Sequence, residues 1–227
     1  MLGILALGSF ATPAVAQVTV EAAVQTDLRH RGYSLSGERP VAIASLGYDD
    51  ASGAYVGGSA IGMVKDREPA FLGAVGNVGY ARRVLPGLSL DVGVMRAEYQ
   101  AAYRYGADYG YTEVYAGAAL RNVSARVHFS PDYYGSDRST VYVEVDGGIE
   151  LARDWHLGAH VGSLTYLERP AGRVPRREYD WRLGLTRRLG GFDLFAEASG
   201  RLRGRAYRAG GRSYEKTALV FGLSRAF

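Results

Sequence analysis

Apolar and polar residues alternate with a period of two along most of this chain. In the closing stretch from Lys216, the residues Leu219, Phe221, Leu223 and Phe227 hold one phase. That period puts them on one face of a strand. A last strand with one apolar face and a terminal aromatic suits a closed transmembrane barrel. Such a strand pairs with the first and shows lipid its apolar side. Arg225 falls in the same phase, and its long stem allows the charge to reach the headgroups.

The alternation recurs upstream. Val18, Val20, Ala22 and Val24 share a face, with Glu21 and Gln25 opposite. Further runs cover 41–48, 54–63, 71–82, 88–94, 111–120, 123–129, 141–149, 155–161, 181–189 and 192–198. Short turns join alternate pairs: 49–53, Pro86-Gly87, Arg121-Asn122, 152–154 and Gly190-Gly191. The remaining links are polar and mostly longer: 31–40, 65–69, 100–110, 130–139, 168–178 and 201–212. The pattern predicts an all-β fold, a transmembrane antiparallel up-and-down β-barrel of about twelve strands of outer-membrane type. Each run approaches the ~10 residues that a tilted strand needs to cross a bilayer. All short turns then lie on the periplasmic side and the long links outside. In the fifth run Arg96 and Glu98 continue the lipid-facing phase. Either a bulge flips the register there or the strand stands above the membrane.

The start of the chain agrees with export. Residues 1–16 read as a signal peptide, with Met1 to Phe10 apolar and small and Ala14-Val15-Ala16 before Gln17 as the cleavage signal. The usual basic n-region is absent, as in a truncated signal. Residues 17–227 then form a single barrel domain. No other stretch approaches the ~20 apolar residues of a spanning helix. With no cysteine, disulfides and thiolate metal sites are excluded. Tyr (17) and Gly (31) are abundant; Tyr suits a membrane interface and Gly a crowded lumen. The formal charge of +4 comes from arginines scattered among acids, without the stacking aromatics of a nucleic-acid site.

Four stretches carry a family resemblance: Thr26 to Ser36 (TDLRHRGYSLS), Tyr111 to Gly117 (YTEVYAG), Phe129 to Gly135 (FSPDYYG) and Leu157 to Gly162 (LGAHVG). They resemble the TorF family of porins, the Gcw_chp group, with Thr26 to Ser36 similar to its first outer loop. The resemblance covers most of Val18 to Tyr166 and thins afterwards. It implies an outer-membrane barrel with a porin role, and none of these motifs is catalytic. The Arg-rich final third and Arg225 depart from it, so loop chemistry is not carried over.

With apolar faces toward lipid, the lumen receives Glu21, Asp27, Glu113, Arg126, His128, Glu144, Asp146, His156, His160, Arg182, Asp193, Glu197 and Arg201. Two readings are open. Paired charges fill a narrow barrel, or a wet pore selects solutes by charge. A barrel of about twelve strands lies between side-chain-filled and water-filled sizes. The expected role is passive diffusion of small hydrophilic solutes without a cofactor. Arginines at 169, 173, 176, 177, 201, 203, 205, 208 and 212 bias the mouth toward anions or contact lipopolysaccharide phosphates. Outer-membrane lipid and the barrel-assembly machinery, reading Phe227, are the other expected partners. A closed, surface-binding barrel is the alternative. A third reading is a lipid hydrolase, in which His128 takes the Ser130 proton and Glu144 orients the histidine. His156 and His160 stand ~13 Å apart along one strand, too far to share a metal.

Overall fold

The computed structural model describes residues 16–65, 67–100, 109–168, 175–203, 208–209, 212–213 and 217–227. Residues 1–15 of the expected signal peptide, most of the link 100–110, and Arg169, Arg173 and Arg205 lie outside the described residues. Twelve antiparallel strands close on themselves. They are β1 Gln17–Gln25, β2 Val41–Asp49, β3 Ala54–Lys65, β4 Glu68–Leu85, β5 Leu88–Tyr99 and β6 Tyr109–Leu120. The ring continues with β7 Val123–Ser130, β8 Thr140–Ala152, β9 Trp155–Tyr166, β10 Arg177–Leu189, β11 Phe192–Arg203 and β12 Ala218–Ala226. Each strand pairs with its sequence neighbours, and β12 closes onto β1 from Glu21↔Ala226 to Gln25↔Gly222. Among the described residues no helix is long and apolar enough to cross a membrane.

Val18, Val20, Val24, Val92, Val94, Val127, Leu183, Leu185 and Phe221 are exposed on the outer wall. The interior is mixed: Val41, Ile43, Ile61, Met63, Leu72 and Met95 form an apolar cluster, and Glu113, His128, Glu144 and Asp180 are buried polar groups. Lipid is the solvent for the outer face, and the closed ring leaves no unpaired edge within it. Inward aromatics lie across glycines on adjacent strands. A Cβ at Gly79, Gly93, Gly162 or Gly222 would overlap the rings of Tyr55, Tyr115, Tyr142 and Phe195.

The strands reach further than their alternation indicates. The link expected at 65–69 is a tight connection atop a tall β3–β4 hairpin, paired up to Lys65↔Glu68. An irregularity between Ile61 and Gly62 puts both Leu72 and Gly73 in the interior, which resets the phase of β4. In β5, pairing with β6 is unbroken from Leu88↔Leu120 to Tyr99↔Tyr109, so no bulge turns Arg96 and Glu98 inward there. They remain exposed, paired with each other, and Arg96 also reaches Thr112 at 3.1 Å. The pair therefore stays on the outer wall of β5. Arg225 stays on the outer wall near the opposite rim. Its guanidinium lies 5.1 Å from the Phe192 ring and 5.0 Å from the Phe227 ring, a cation–π arrangement that accommodates a charge beside lipid.

Candidate functional site

The stretch 26–40, expected as an outer loop, lies inside the barrel. Its core is a two-pair hairpin, Arg29↔Ser34 and His30↔Tyr33. Arg31 and Gly32 turn it with φ of 49° and 77°. Positive φ at both positions marks the type I′ turn that matches strand twist. Gly32 is required there twice over, since a Cβ would also strike Arg201 and the Gly200 carbonyl.

Asp27 organises the hairpin from within. Its Oδ1 accepts hydrogen bonds from Ser34 Oγ (2.5 Å), Ser36 Oγ (2.9 Å) and the Glu38 amide (3.2 Å). Its Oδ2 pairs with Arg29 at 3.1 Å. Ser36 Oγ in turn accepts the Leu28 amide at 3.0 Å. The hairpin thus carries these polar partners with it.

The tip crosses from β1 and β2 to strands half-way round the ring. Arg31 Nη2 donates to Glu113 Oε2 on β6 at 2.8 Å. The Arg31 guanidinium lies 3.8 Å from the centre of the Tyr142 ring and 5.2 Å from that of Tyr133. Burial opposes the Arg31 charge, but Tyr133, Glu113 and Tyr111 hold it well above the usual arginine range. Burial above all pushes the His30 imidazole well below its usual value, and its Nε2 shares a 2.9 Å hydrogen bond with Tyr111. On the other flank, the Arg201 guanidinium covers the Tyr33 ring at 3.9 Å and pairs with Glu178. A second inward segment follows β7. Tyr133 and Tyr134 pack on Tyr111 with ring centres 5.1 and 4.8 Å away.

Below this plug, charges run down the wall in pairs. His128 Nε2 is 2.9 Å from Glu144, and its Nδ1 is 3.2 Å from Glu113. His160 sits between Asp146 (2.8 Å) and Asp180 (3.1 Å). Arg182 reaches Asp146 at 3.3 Å and Glu197 at 3.4 Å. Arg126 pairs with Asp91 at 2.8 Å. Nearer the inner rim, His156 faces Glu150 at 3.2 Å and Asp193 pairs with Arg188 at 3.1 Å. Glu21 is half-buried on β1.

Of the residues singled out in the sequence, Glu113, His128 and Glu144 converge, as do Asp146, His160, Arg182 and Glu197. His156 and Asp193 belong to separate pairs, and Arg201 is a buried wall residue. Sequence reasoning missed Arg29, His30 and Arg31 as interior groups, and Asp91, Glu178 and Asp180 as the wall partners of Arg126, Arg201 and His160. Asp91 was visible as the polar residue between Leu90 and Val92. Glu178 and Asp180 were masked by the basic, proline-containing stretch before them.

Two chemical readings are weighed by this geometry. Glu144, Asp146 and His160 bring ligand atoms within 4.8 Å of one another. Both His160 nitrogens already face carboxylates, so the ring offers a metal no open position. Ser130 is fully buried, and its Oγ has no hydrogen-bond partner among the described residues. His128 Nε2 bonds Glu144 and its Nδ1 lies 3.2 Å from Glu113, and neither nitrogen is hydrogen-bonded to Ser130. Ser130 also faces the interior, away from the lipid on the outer wall.

Solved structures share this fold at very low identity. The KdgM porin aligns at 10% identity with a TM-score of 0.54, covering 94% of this chain and 99% of that one. The NanC porin aligns at 10% identity with a TM-score of 0.54, covering 93% and 99%. No curated protein matches the sequence. One family profile, described as a bacterial protein of unknown function (Gcw_chp), matches residues 11–227. With nearly the whole chain matched, this closed porin-like barrel belongs to the Gcw_chp family.

Proposed function

We propose that the protein is an integral outer-membrane channel of a Gram-negative cell for passive diffusion of small hydrophilic solutes, held closed by hairpin 26–40. The observation that carries this reading is a wall apolar outside and lined inside, along β5 to β11, by charged pairs from the plug to the inner rim. Charged interiors of this kind suit a hydrated path. The shared fold with porins and the resemblance to TorF-type sequences point the same way. Opening requires the hairpin to swing out, and its internal bonding to Asp27 lets it move as one body. Insertion by the barrel-assembly machinery through Phe227 fits a last strand that seals onto β1.

A closed, surface-binding barrel is the second reading. It is favoured by the fully buried pairs beneath the plug, and the rim arginines would then meet lipopolysaccharide phosphates. Rim arginines are also the ground for anion preference in the channel reading, and they act against an acid-rich wall. Refolding residues 17–227 into planar bilayers tests the channel. Discrete conductance steps that lengthen in R31A are expected. A silent wild type and a silent R31A, both shown folded by heat-modifiable gel mobility, would leave the closed barrel as the better account.

A further inference from the structure

The site that holds Arg31 is built mostly by the wall, and it outlasts the hairpin that fills it. Tyr142 lies on β8 and Glu113 on β6, while Tyr133 follows β7. Together they present an aromatic face and a carboxylate to one guanidinium, at 3.8 and 2.8 Å. We propose that this cage binds a cationic solute bearing a guanidinium or primary ammonium group, and that Arg31 occupies its place while the hairpin is docked. The inference rests on the channel reading for its role in passage, though binding at the cage is separately measurable.

Three observations carry it. First, the fit of Arg31 is incomplete. Its Nε and Nη1 are buried with no hydrogen-bond partner among the described residues, and neither has Glu113 Oε1. An orphaned donor or acceptor in such a site is costly, so a mobile cation free to use both carboxylate oxygens competes well. Second, withdrawing the hairpin removes Arg29 and Arg31 together with Asp27 from the lumen. The wall then presents Asp91, Glu113, Glu144, Asp146, Glu178, Asp180 and Glu197 against Arg126, Arg182 and Arg201, with His128 and His160 among them. A low-dielectric channel with that balance concentrates cations. Third, ring faces attract guanidinium and ammonium groups and offer nothing comparable to anions. The contrast with KdgM is informative, since that porin has been solved with oligogalacturonate, a polyanion. Such a polyanion would meet repulsion at this wall.

The test uses the refolded barrel in planar bilayers, with R31A and R31Q to empty the cage. Arginine amide is the probe, and choline, which lacks N–H donors, is the control. In both variants the reversal potential should favour potassium over chloride, and arginine amide should block current in a concentration-dependent way. Choline should block at least about tenfold more weakly. Adding E113Q to R31A should weaken the arginine block by about tenfold or more. Calorimetric binding of arginine amide to folded R31A reads the cage without conductance. Conducting variants that neither bind nor are blocked by it would overturn the cage and leave the channel standing. Silent variants that bind it with loss in R31A/E113Q would keep the cage and remove the channel.

Discussion

At the outer end of the lumen Arg31, Glu113, His128 and Tyr142 meet under almost complete burial. At the inner rim Arg188 and Asp193 pair at 3.1 Å with the Arg188 side chain largely exposed. The distances are comparable, yet the physics is not. A buried charge that loses its partner cannot recover its hydration, whereas an exposed one turns to water. The outer half is therefore brittle and specific, and the inner half is tolerant.

Removing Glu113 should expose that difference most strongly. Glu113→Ala leaves Arg31 without its carboxylate and His128 with only Glu144, at a cost of about 3–5 kcal/mol. Urea unfolding of the barrel refolded in lipid vesicles measures it. A loss below ~1 kcal/mol would mean that water reaches the plug, and the contrast between the halves would fail. Asp27→Ala comes next. It removes the acceptor shared by Ser34, Ser36 and the Glu38 amide. The hairpin should lose about 2–3 kcal/mol of local stability, read as faster hydrogen exchange at the Leu28 and Glu38 amides. Exchange in β8 and β9 should stay unchanged; if it rises equally, the hairpin is not a separate unit.

The barrel itself was legible because lipid imposes a strict rule on every strand. Val18, Val20 and Val24 show it in β1, as do Leu219, Phe221 and Leu223 in β12. The plug was not legible. Arg31-Gly32 reads as polar turn chemistry whether it faces water or a lumen. What decides is Glu113, distant in sequence and brought near only by closure of the ring. The wall charges Glu178 and Asp180 were hidden for a similar reason, because basic residues before β10 blurred the strand's start. At Arg225 the charge was plain from its phase and Phe227 stood two residues on, while its other aromatic partner, Phe192, depended on the β11–β12 register.

A wall glycine tests the boundary between the halves. Gly162 on β9 lies beneath the Tyr142 ring and the Asp180 carboxylate, with no room for a Cβ. Gly162→Val should cost about 1–3 kcal/mol by overpacking. It should also tilt Tyr142 away from Arg31, so the plug loosens along with the wall. Gly184 on β10 makes only ordinary contacts, and Gly184→Val in the same unfolding assay should cost less. Equal costs at the two sites would show that strand propensity, rather than the ring, sets the penalty.

The smallest effect belongs to the inner rim. Arg188→Ala breaks a pair that solvent already screens, so its cost should stay below about 1 kcal/mol. That cost should shrink further as salt is raised, since exposed charges are screened over ~8–10 Å at moderate ionic strength. The Glu113→Ala penalty should barely respond to the same salt, because ions do not penetrate the packed plug. Measuring both variants across a salt series separates burial from charge as the origin of the outer half's brittleness. Parallel salt curves would assign the difference to contact geometry alone, and diverging curves assign it to the exclusion of water around Arg31.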